Sequence, residues 1–167
     1  MNRDDWLALS DERLLGSCHE DFYRASGPGG QKRNKTESAV RLRHQETGLI
    51  VVATESRSRQ ENRERALRRM REAIAFRLRL PVSESDLPPI LMQAVAQGLR
   101  VSKRHESFLM TSALILDRVD HDQGKVSMTA DQLSVATSSL VRFLKTTPEL
   151  WEATQQLRDK HGLAHLR

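Results

Sequence analysis

The 167-residue chain is poor in the residues that cross-link a fold or carry it through a bilayer. Its one cysteine, Cys18, excludes a disulfide scaffold and a cysteine-built metal site, and a single thiol fits a reducing cytoplasm. The longest apolar run, Leu49 to Ala53, is far too short to span a membrane. The first residues have neither a basic n-region nor an apolar h-region, so we expect no secretion signal and a cytoplasmic protein.

Aromatic residues make up only 4% of the chain, whereas 29% of the residues are charged and the net charge is +5. The net charge is uneven: it is −4 over 1–21, +9 over 22–80, −2 over 81–87 and +2 over 88–167. The basic excess is mostly arginine, whose planar guanidinium suits phosphates and stacked bases. Nucleic acid is therefore the first partner to expect, and a solvated basic helix face is the alternative.

Hydrophobic periodicity predicts strands and then a helix in the first half. His19 to Arg24 is a plausible strand, and Ala39 to His44 alternates apolar residues with arginines, which is typical of a strand with one wet, cationic face. Leu49 to Thr54 is apolar on both faces and predicts a central strand, paired with 39–44 in a hairpin. Apolar residues spaced by three and four from Gln60 to Leu80 predict an amphipathic helix.

The segment from Pro81 to Pro89 contains three prolines, two serines and two acidic residues, which indicates a linker and a domain boundary. Residues 90–167 have helical patterns throughout, with a break at Asp120 to Gly124 and a last helix that Pro148 begins and Gly162 could close. We therefore expect an α+β fold: a domain at 1–80 with a small mixed or antiparallel sheet and a packed helix, a linker at 81–89 and an all-α accessory domain at 90–167.

Residues 26–31, Ser-Gly-Pro-Gly-Gly-Gln, interrupt the regular pattern after the first strand and predict an exposed loop. The adjacent Gly29 and Gly30 let the backbone approach a partner closely and take φ values that other residues avoid. Gln31 offers a side-chain amide and a backbone N–H, but the loop has no titrating nucleophile or base, which excludes a Ser-His-Asp or Cys-His mechanism. Such a tip can position a water molecule and donate a hydrogen bond to a developing oxyanion.

Further motifs flank this loop at fixed spacings, and they are listed here in chain order: Tyr23-Arg24-Ala25-Ser26-Gly27-Pro28-Gly29-Gly30-Gln31, Asn34-Lys35-Thr36, Ser38-Ala39-Val40-Arg41-Leu42, Thr47-Gly48-Leu49-Ile50-Val51-Val52, Arg57-Ser58 and Asn62-Arg63. Together they resemble the catalytic domain of class-I peptide chain release factors over roughly residues 11–80. The resemblance implies an α+β domain whose Gly-Gly-Gln loop enters the peptidyl transferase centre and promotes hydrolysis of the ester joining nascent peptide to tRNA.

The same resemblance assigns roles to the loop residues. Gly29 and Gly30 would shape the loop, and Gln31 would place the water and donate its main-chain N–H to the transition state. The implied partners are the rRNA of the large ribosomal subunit and the P-site peptidyl-tRNA, and no metal or cofactor is implied. The helical half could also contact a protein partner, and no membrane partner is expected.

Two departures from the family pattern narrow the expected function. Release factors usually continue with His-Val-Asn, whereas this chain has Lys32-Arg33-Asn34, which adds two cations facing rRNA phosphates. The 167 residues leave no room for a codon-reading domain and contain nothing like a stop-codon tripeptide loop, so we expect a short, codon-independent factor acting on stalled ribosomes or separated large subunits. The last twelve residues are not the Lys/Arg-rich tail of the best-known short members. The alternative is a non-catalytic rRNA-binding, ribosome-assembly or quality-control factor that retains the fold.

The cationic side chains around the motifs are the candidate contacts to rRNA or tRNA phosphates and 2′-hydroxyls. They are Arg24, Lys32, Arg33, Lys35, Arg41, Arg43, Arg57, Arg59, Arg63, Arg68 and Arg69. His44 ends a predicted strand near them, but no carboxylate at a useful spacing accompanies it, so we expect a structural or phosphate-binding role.

Residues 129–144 have the Ala-x-x-Leu-small-Val pattern of a helix-turn-helix, in which the second helix would begin near Thr137. That helix would offer Ser138, Ser139, Arg142 and Lys145 to a nucleic acid. Ser134 stands where the pattern usually has glycine, and the flanks are nearly neutral. A plain helical bundle or a surface for a partner is therefore the alternative.

Overall fold

A computed structural model describes residues 1–24, 38–83 and 87–167 of the chain. The elements in the first half are α1 (Arg3–Leu7), α2 (Asp11–Gly16), β1 (Cys18–Tyr23), β2 (Ala39–His44), β3 (Ile50–Ala53) and α3 (Arg59–Arg77). Those in the second half are α4 (Pro89–Ala96), α5 (Phe108–His121), α6 (Val126–Gln132), α7 (Thr137–Leu144) and α8 (Pro148–Lys160). The predicted α+β fold, with a small sheet in the first half and helices in the second, is confirmed.

The described strands form one antiparallel sheet in the order β1-β2-β3. Cys18 pairs with His44 and Tyr23 with Ala39 at the two ends of the β1–β2 ladder. Alternation along β2 follows the prediction: Val40, Leu42 and His44 are fully buried, whereas Arg41 and Arg43 are exposed. The period of two thus places the arginines together on one exposed face of the sheet.

The prediction that residues 49–54 form a central strand is wrong. Among the described strands, β3 pairs with β2 alone, so it is an edge strand and β2 is the central one. Ile50 is 49% exposed and Val52 37% exposed on the outer face, while Ala53 is buried. The apolar run therefore reflects β-propensity on a half-exposed surface and does not report burial on both faces.

The chain divides into two compact units, Met1–Ile74 and Ala75–Arg167, and the boundary falls within α3. In the first unit the apolar stripe of α3, with Leu67, Met70 and Ile74, is buried as the helical spacing predicts. α3 ends at Arg77, three residues before the predicted end. The functional assignment of domains at 1–80 and 90–167 stays a prediction.

The second unit begins with a buried ion pair that holds the chain after α3. Arg79 donates to the carboxylate of Asp117 at 3.2 Å and to the carbonyl oxygens of Ala75 and Ala113, and the backbone N–H of Leu80 also reaches Asp117 at 3.1 Å. Asp117 is only 5% exposed, so these donors supply the hydrogen bonds that a buried carboxylate requires. The chain leaving α3 is thereby fixed to α5.

Helix ends in the second unit follow their sequence signals. Thr147 caps α8 by accepting a hydrogen bond from the backbone N–H of Leu150 at 3.2 Å, with Pro148 in the first turn, as predicted. Gly162 follows α8 with φ of +70°, a left-handed conformation that glycine adopts readily. No helix within the described residues is long and apolar enough to cross a bilayer.

His44 is a fully buried residue of the first unit. Its Nδ1 lies 3.0 Å from the hydroxyl of Thr47, and its ring meets Trp6 edge to face at a centroid distance of 4.7 Å. Burial lowers the pKa of this imidazole below its ordinary value, because the protonated ring would lose its hydration. This environment gives His44 a structural role, since its side chain is closed to solvent.

We expect His44 to make the protein less stable in mild acid. The folded pKa is lowered, so the unfolded state takes up the proton first, and the free energy of unfolding falls as pH drops through the ordinary pKa of 6.5. Urea unfolding at about pH 7.5 and about pH 5.5 should show this fall in the parent, and His44→Gln should reduce it. The matched change at the exposed His105 should leave the fall unaltered, and an equal loss in both variants would contradict the assignment.

Candidate functional site

The predicted catalytic residues lie outside the described part of the chain. Gly29, Gly30 and Gln31, together with the candidate cations Lys32, Arg33 and Lys35, belong to the segment 25–37. The structure describes where this segment is attached: Tyr23 at the end of β1 and Ala39 at the start of β2 are partners in the antiparallel ladder. The chain therefore leaves and re-enters the sheet at neighbouring positions. We call Phe22, Tyr23, Ser38 and Ala39 the segment base.

Asn62 of α3 fastens the segment base to the β3–α3 connection. Its side-chain Nδ2 donates to the carbonyl oxygen of Ser38 at 2.7 Å and to that of Ser56 at 2.8 Å. Its Oδ1 accepts from the backbone N–H of Ser56 at 2.9 Å. Asn62 is fully buried, so one carboxamide satisfies three backbone groups from two separate parts of the chain.

Two arginines of α3 hold β1 from the same helix. The guanidinium of Arg59 lies 4.5 Å from the ring centroid of Phe22, in a cation–π contact. One turn later, Nε of Arg63 donates to both carboxylate oxygens of Glu20 at 3.0 Å. The start of α3 is thus joined to β1 next to the segment base as well as to Ser38.

Several of the predicted RNA-binding arginines have partners within the protein. Arg41 donates twice to one oxygen of Asp21, at 3.0 and 2.8 Å, and this hydrogen bonding holds the pKa of Asp21 below its usual range. Arg69 of α3 donates to the carboxylate of Glu55 and to the carbonyl oxygen of Val52. Both arginines remain half-exposed, but a phosphate would have to compete with the carboxylate for them.

Three other predicted arginines are exposed and make no ion pair within the described residues: Arg43, Arg57 and Arg68. Arg43 lines an open groove of about 560 Å³ on the outer face of the sheet, with His19 and Ile50. Arg68 lines a second groove, between α2 and α3, whose walls also contain acidic side chains. Arg57 lies in the connection from β3 to α3. These three are the cations readiest to meet phosphate, and Arg24 is also exposed at the end of β1.

Sequence reasoning named the arginines but assigned no role to Asn62, which entered only as part of the Asn62-Arg63 motif. The signal available was a polar residue with low helix propensity on a helix of alanines, leucines and arginines. Only the fold shows that this residue faces inward, toward backbone groups that need partners. Among the described His, Cys, Asp and Glu side chains, no group of three could hold a metal ion.

Comparison with known proteins gives the first half of the chain a family. A family described as the RF-1 domain matches residues 16–87. Peptide chain release factor 2 of Staphylococcus haemolyticus is 36% identical over 111 residues, which are 66% of this chain and 30% of that protein. Peptide chain release factor 1 of Latilactobacillus sakei is 33% identical over 148 residues, 87% of this chain and 38% of that protein.

A shorter and more similar stretch occurs in peptide chain release factor 1 of Rubrobacter xylanophilus, which is 49% identical over 57 residues, 34% of this chain and 16% of that protein. The chain thus spans about a third of the length of the relatives it matches most extensively. The chain belongs to the class-I peptide chain release factor family, and its RF-1 domain includes the sheet, α3 and the segment 25–37.

We expect Asn62→Asp to destabilise the first unit by about 2–3 kcal/mol. The substitution keeps the shape but removes both N–H donations, so the carbonyl oxygens of Ser38 and Ser56 lose their partner. Urea unfolding should report the loss as a lower midpoint with an unchanged slope. The exposed change Gln60→Ala on the same helix is the control, and it should stay within about 0.5 kcal/mol. Equal effects of the two substitutions would contradict the role given to Asn62.

Proposed function

We propose that this chain is a codon-independent, release-factor-like peptidyl-tRNA hydrolase that frees nascent peptides from stalled ribosomes or separated large subunits in the cytoplasm. The observation that carries this function is the intact Gly29-Gly30-Gln31 triplet inside the residues matched by the RF-1 domain. A domain that had kept only an rRNA-binding role would have no chemical need for that triplet. The partners are the rRNA of the large subunit and the P-site peptidyl-tRNA.

The reaction requires a water oxygen to attack the carbonyl carbon of the ester between peptide and tRNA. Negative charge develops on the carbonyl oxygen, and collapse of the intermediate breaks the C–O bond, leaving a peptide carboxylic acid and a tRNA hydroxyl that receives the proton. Gln31 places the water and donates its main-chain N–H to the developing oxyanion. Gly29 and Gly30 let the backbone come close enough for that donation.

Contacts at the segment base support this assignment physically. A catalytic tip acts by placement, and placement requires a fixed attachment, because a displacement of about 1 Å can cost a factor of about 100 in rate. The hydrogen bonds of Asn62 to Ser38 and Ser56, and the packing of Arg59 on Phe22, connect both sides of that attachment to one helix. The segment 25–37 therefore begins and ends on a braced part of the domain.

Peptide release from ribosomal complexes tests the function directly. With labelled peptidyl-tRNA in the P site, the parent should release peptide on whole ribosomes or on separated large subunits. Gly30→Ala should lower the rate by about 100-fold through a displaced tip, and Gln31→Ala should lower it through loss of the water-placing side chain. Gln97→Ala, an exposed glutamine at the end of α4, is the matched control and should release peptide like the parent.

The same assay tests codon independence and the non-catalytic alternative. Complexes with a stop codon, a sense codon or no codon in the A site should give equal rates. A rate that depends on the stop codon would contradict the codon-independent assignment. Absence of release on every complex, with binding to the large subunit retained, would instead favour the rRNA-binding or assembly factor.

Binding to the large subunit should depend on the arginines without internal partners. The triple change Arg43→Gln, Arg57→Gln and Arg68→Gln should lower affinity about tenfold or more and reduce the salt dependence by two to three phosphate contacts, at about 0.9 per contact. The triple change Arg100→Gln, Lys103→Gln and Arg104→Gln removes the same charge from exposed positions of the second unit. Pelleting with subunits at several salt concentrations measures both effects, and equal losses would contradict the assignment.

A further inference from the structure

The second unit contains a helix-turn-helix whose geometry follows the sequence pattern. α6 ends at Gln132 and α7 begins at Thr137, so the turn between them has four residues. Ser134, at the position that usually holds glycine, has φ of +53°, a left-handed conformation. The following N–H, of Val135, donates to the carbonyl oxygen of Ala130 at 3.0 Å and closes the end of α6. The backbone thus makes the expected turn despite the serine.

Apolar residues of the pattern hold the two helices in the second unit. Ala130 and Leu133 from the α6 side, and Leu140 and Phe143 from α7, are all buried. Phe143 also packs against Phe108 of α5, with ring centroids 5.7 Å apart. α7 therefore turns one face inward and leaves the opposite face to solvent.

The solvent face of α7 is polar and cationic. Ser138 and Arg142, together with Lys145 just after the helix, are exposed at intervals of four and three, which places them on one side. Arg142 donates to the hydroxyl of Ser139 at 3.1 Å, and the ammonium of Lys145 lies 4.8 Å from the ring centroid of Trp151. Both cations have ordered positions, and neither has a carboxylate partner. We call Ser138, Arg142 and Lys145 the α7 face.

Net charge in the second half of the chain is confined to this motif. Residues 125–146 contain Lys125, Arg142 and Lys145 against the single acid Asp131, a net charge of +2. Residues 88–124 and 147–167 are each neutral. The whole excess of +2 in residues 88–167 is therefore carried by α6, the turn and α7. A solvated bundle surface gives no reason for this concentration, whereas a polyanion does.

The side chains of the α7 face select the kind of polyanion. Direct reading of bases uses bidentate arginine, asparagine or glutamine, yet the first turn of α7 presents Thr137, Ser138 and Ser139. Hydroxyls and separate cations contact phosphates and 2′-hydroxyls, which are read through shape. We propose that the α6–turn–α7 unit is a second nucleic-acid site, which holds the backbone of a structured RNA duplex through Ser138, Arg142 and Lys145.

Anisotropy of a labelled RNA duplex of about 16 base pairs, with the full chain, tests this site. The double change Arg142→Gln and Lys145→Gln should weaken binding about tenfold near 100 mM salt and lower the salt slope by about 1.8, two contacts at about 0.9 each. Lys103→Gln with Arg104→Gln removes the same charge elsewhere in the unit and should leave the slope nearly unchanged. Equal changes in both double variants would overturn the location.

A second variant guards against simple unfolding, since Lys145 also contacts Trp151. Ser138→Glu adds an acid to the first turn of α7, where negative charge favours the helix, so its thermal midpoint should match the parent or exceed it. Its RNA affinity should fall at least about fivefold because the carboxylate repels phosphate. The matched control Gln97→Glu should bind like the parent. Parent-like binding by Ser138→Glu, or no measurable RNA binding by the parent, would overturn the site.

A DNA duplex of the same sequence separates the two nucleic acids. If the substitutions weaken the DNA complex and leave the RNA complex unchanged, the RNA assignment is overturned. The site does not depend on the proposed hydrolase. A chain inactive in peptide release that loses RNA affinity through the α7-face changes upholds it, and a releasing chain whose RNA affinity ignores those changes overturns it.

Discussion

The buried carboxamide of Asn62 is the interaction on which the first unit's arrangement depends. It joins three backbone groups, from Ser38 and Ser56, that no regular element satisfies, and it does so from the first turns of α3. Because these groups lie where the segment 25–37 meets the sheet, one side chain links the core helix, the β3–α3 connection and the segment base. A hydrogen-bonded anchor of this kind specifies position more sharply than apolar packing, since buried polar groups tolerate few alternative geometries.

The arginine-rich stretch is less uniform than its net charge of +9 suggests. Arg41, Arg63 and Arg69 are engaged by carboxylates of the first unit, so much of their charge is spent on holding strands to each other and to α3. The exposed Arg43, Arg57 and Arg68 have no such partner in the described part of the chain. Structural and functional cations thus alternate along one segment, and only those in the second group contribute an undivided charge to an RNA surface.

The two halves of the chain use their charge differently. In the first unit cations are numerous and partly neutralised, whereas in the second unit acids and bases balance outside residues 125–146. The helix-turn-helix gathers the remaining excess on one polar helix face, around a turn that requires a left-handed residue at Ser134. A family member with an RF-1 domain and a separate cationic helical unit could hold its RNA target at two places, which raises effective concentration without a tighter single site.

Local patterns in the sequence determined the α+β class, the boundaries of β2, the start of α7 at Thr137 and the start of α8 at Pro148, because period, capping and turn chemistry act over a few residues. They also determined the family, through residues whose spacing along the chain is distinctive. Tertiary structure alone decided that β3 is an edge strand, which arginines are neutralised and that Asn62 braces the segment base. Each of these depends on partners distant in sequence, such as Glu20 with Arg63 or Ser38 with Asn62, and no local periodicity encodes such pairs.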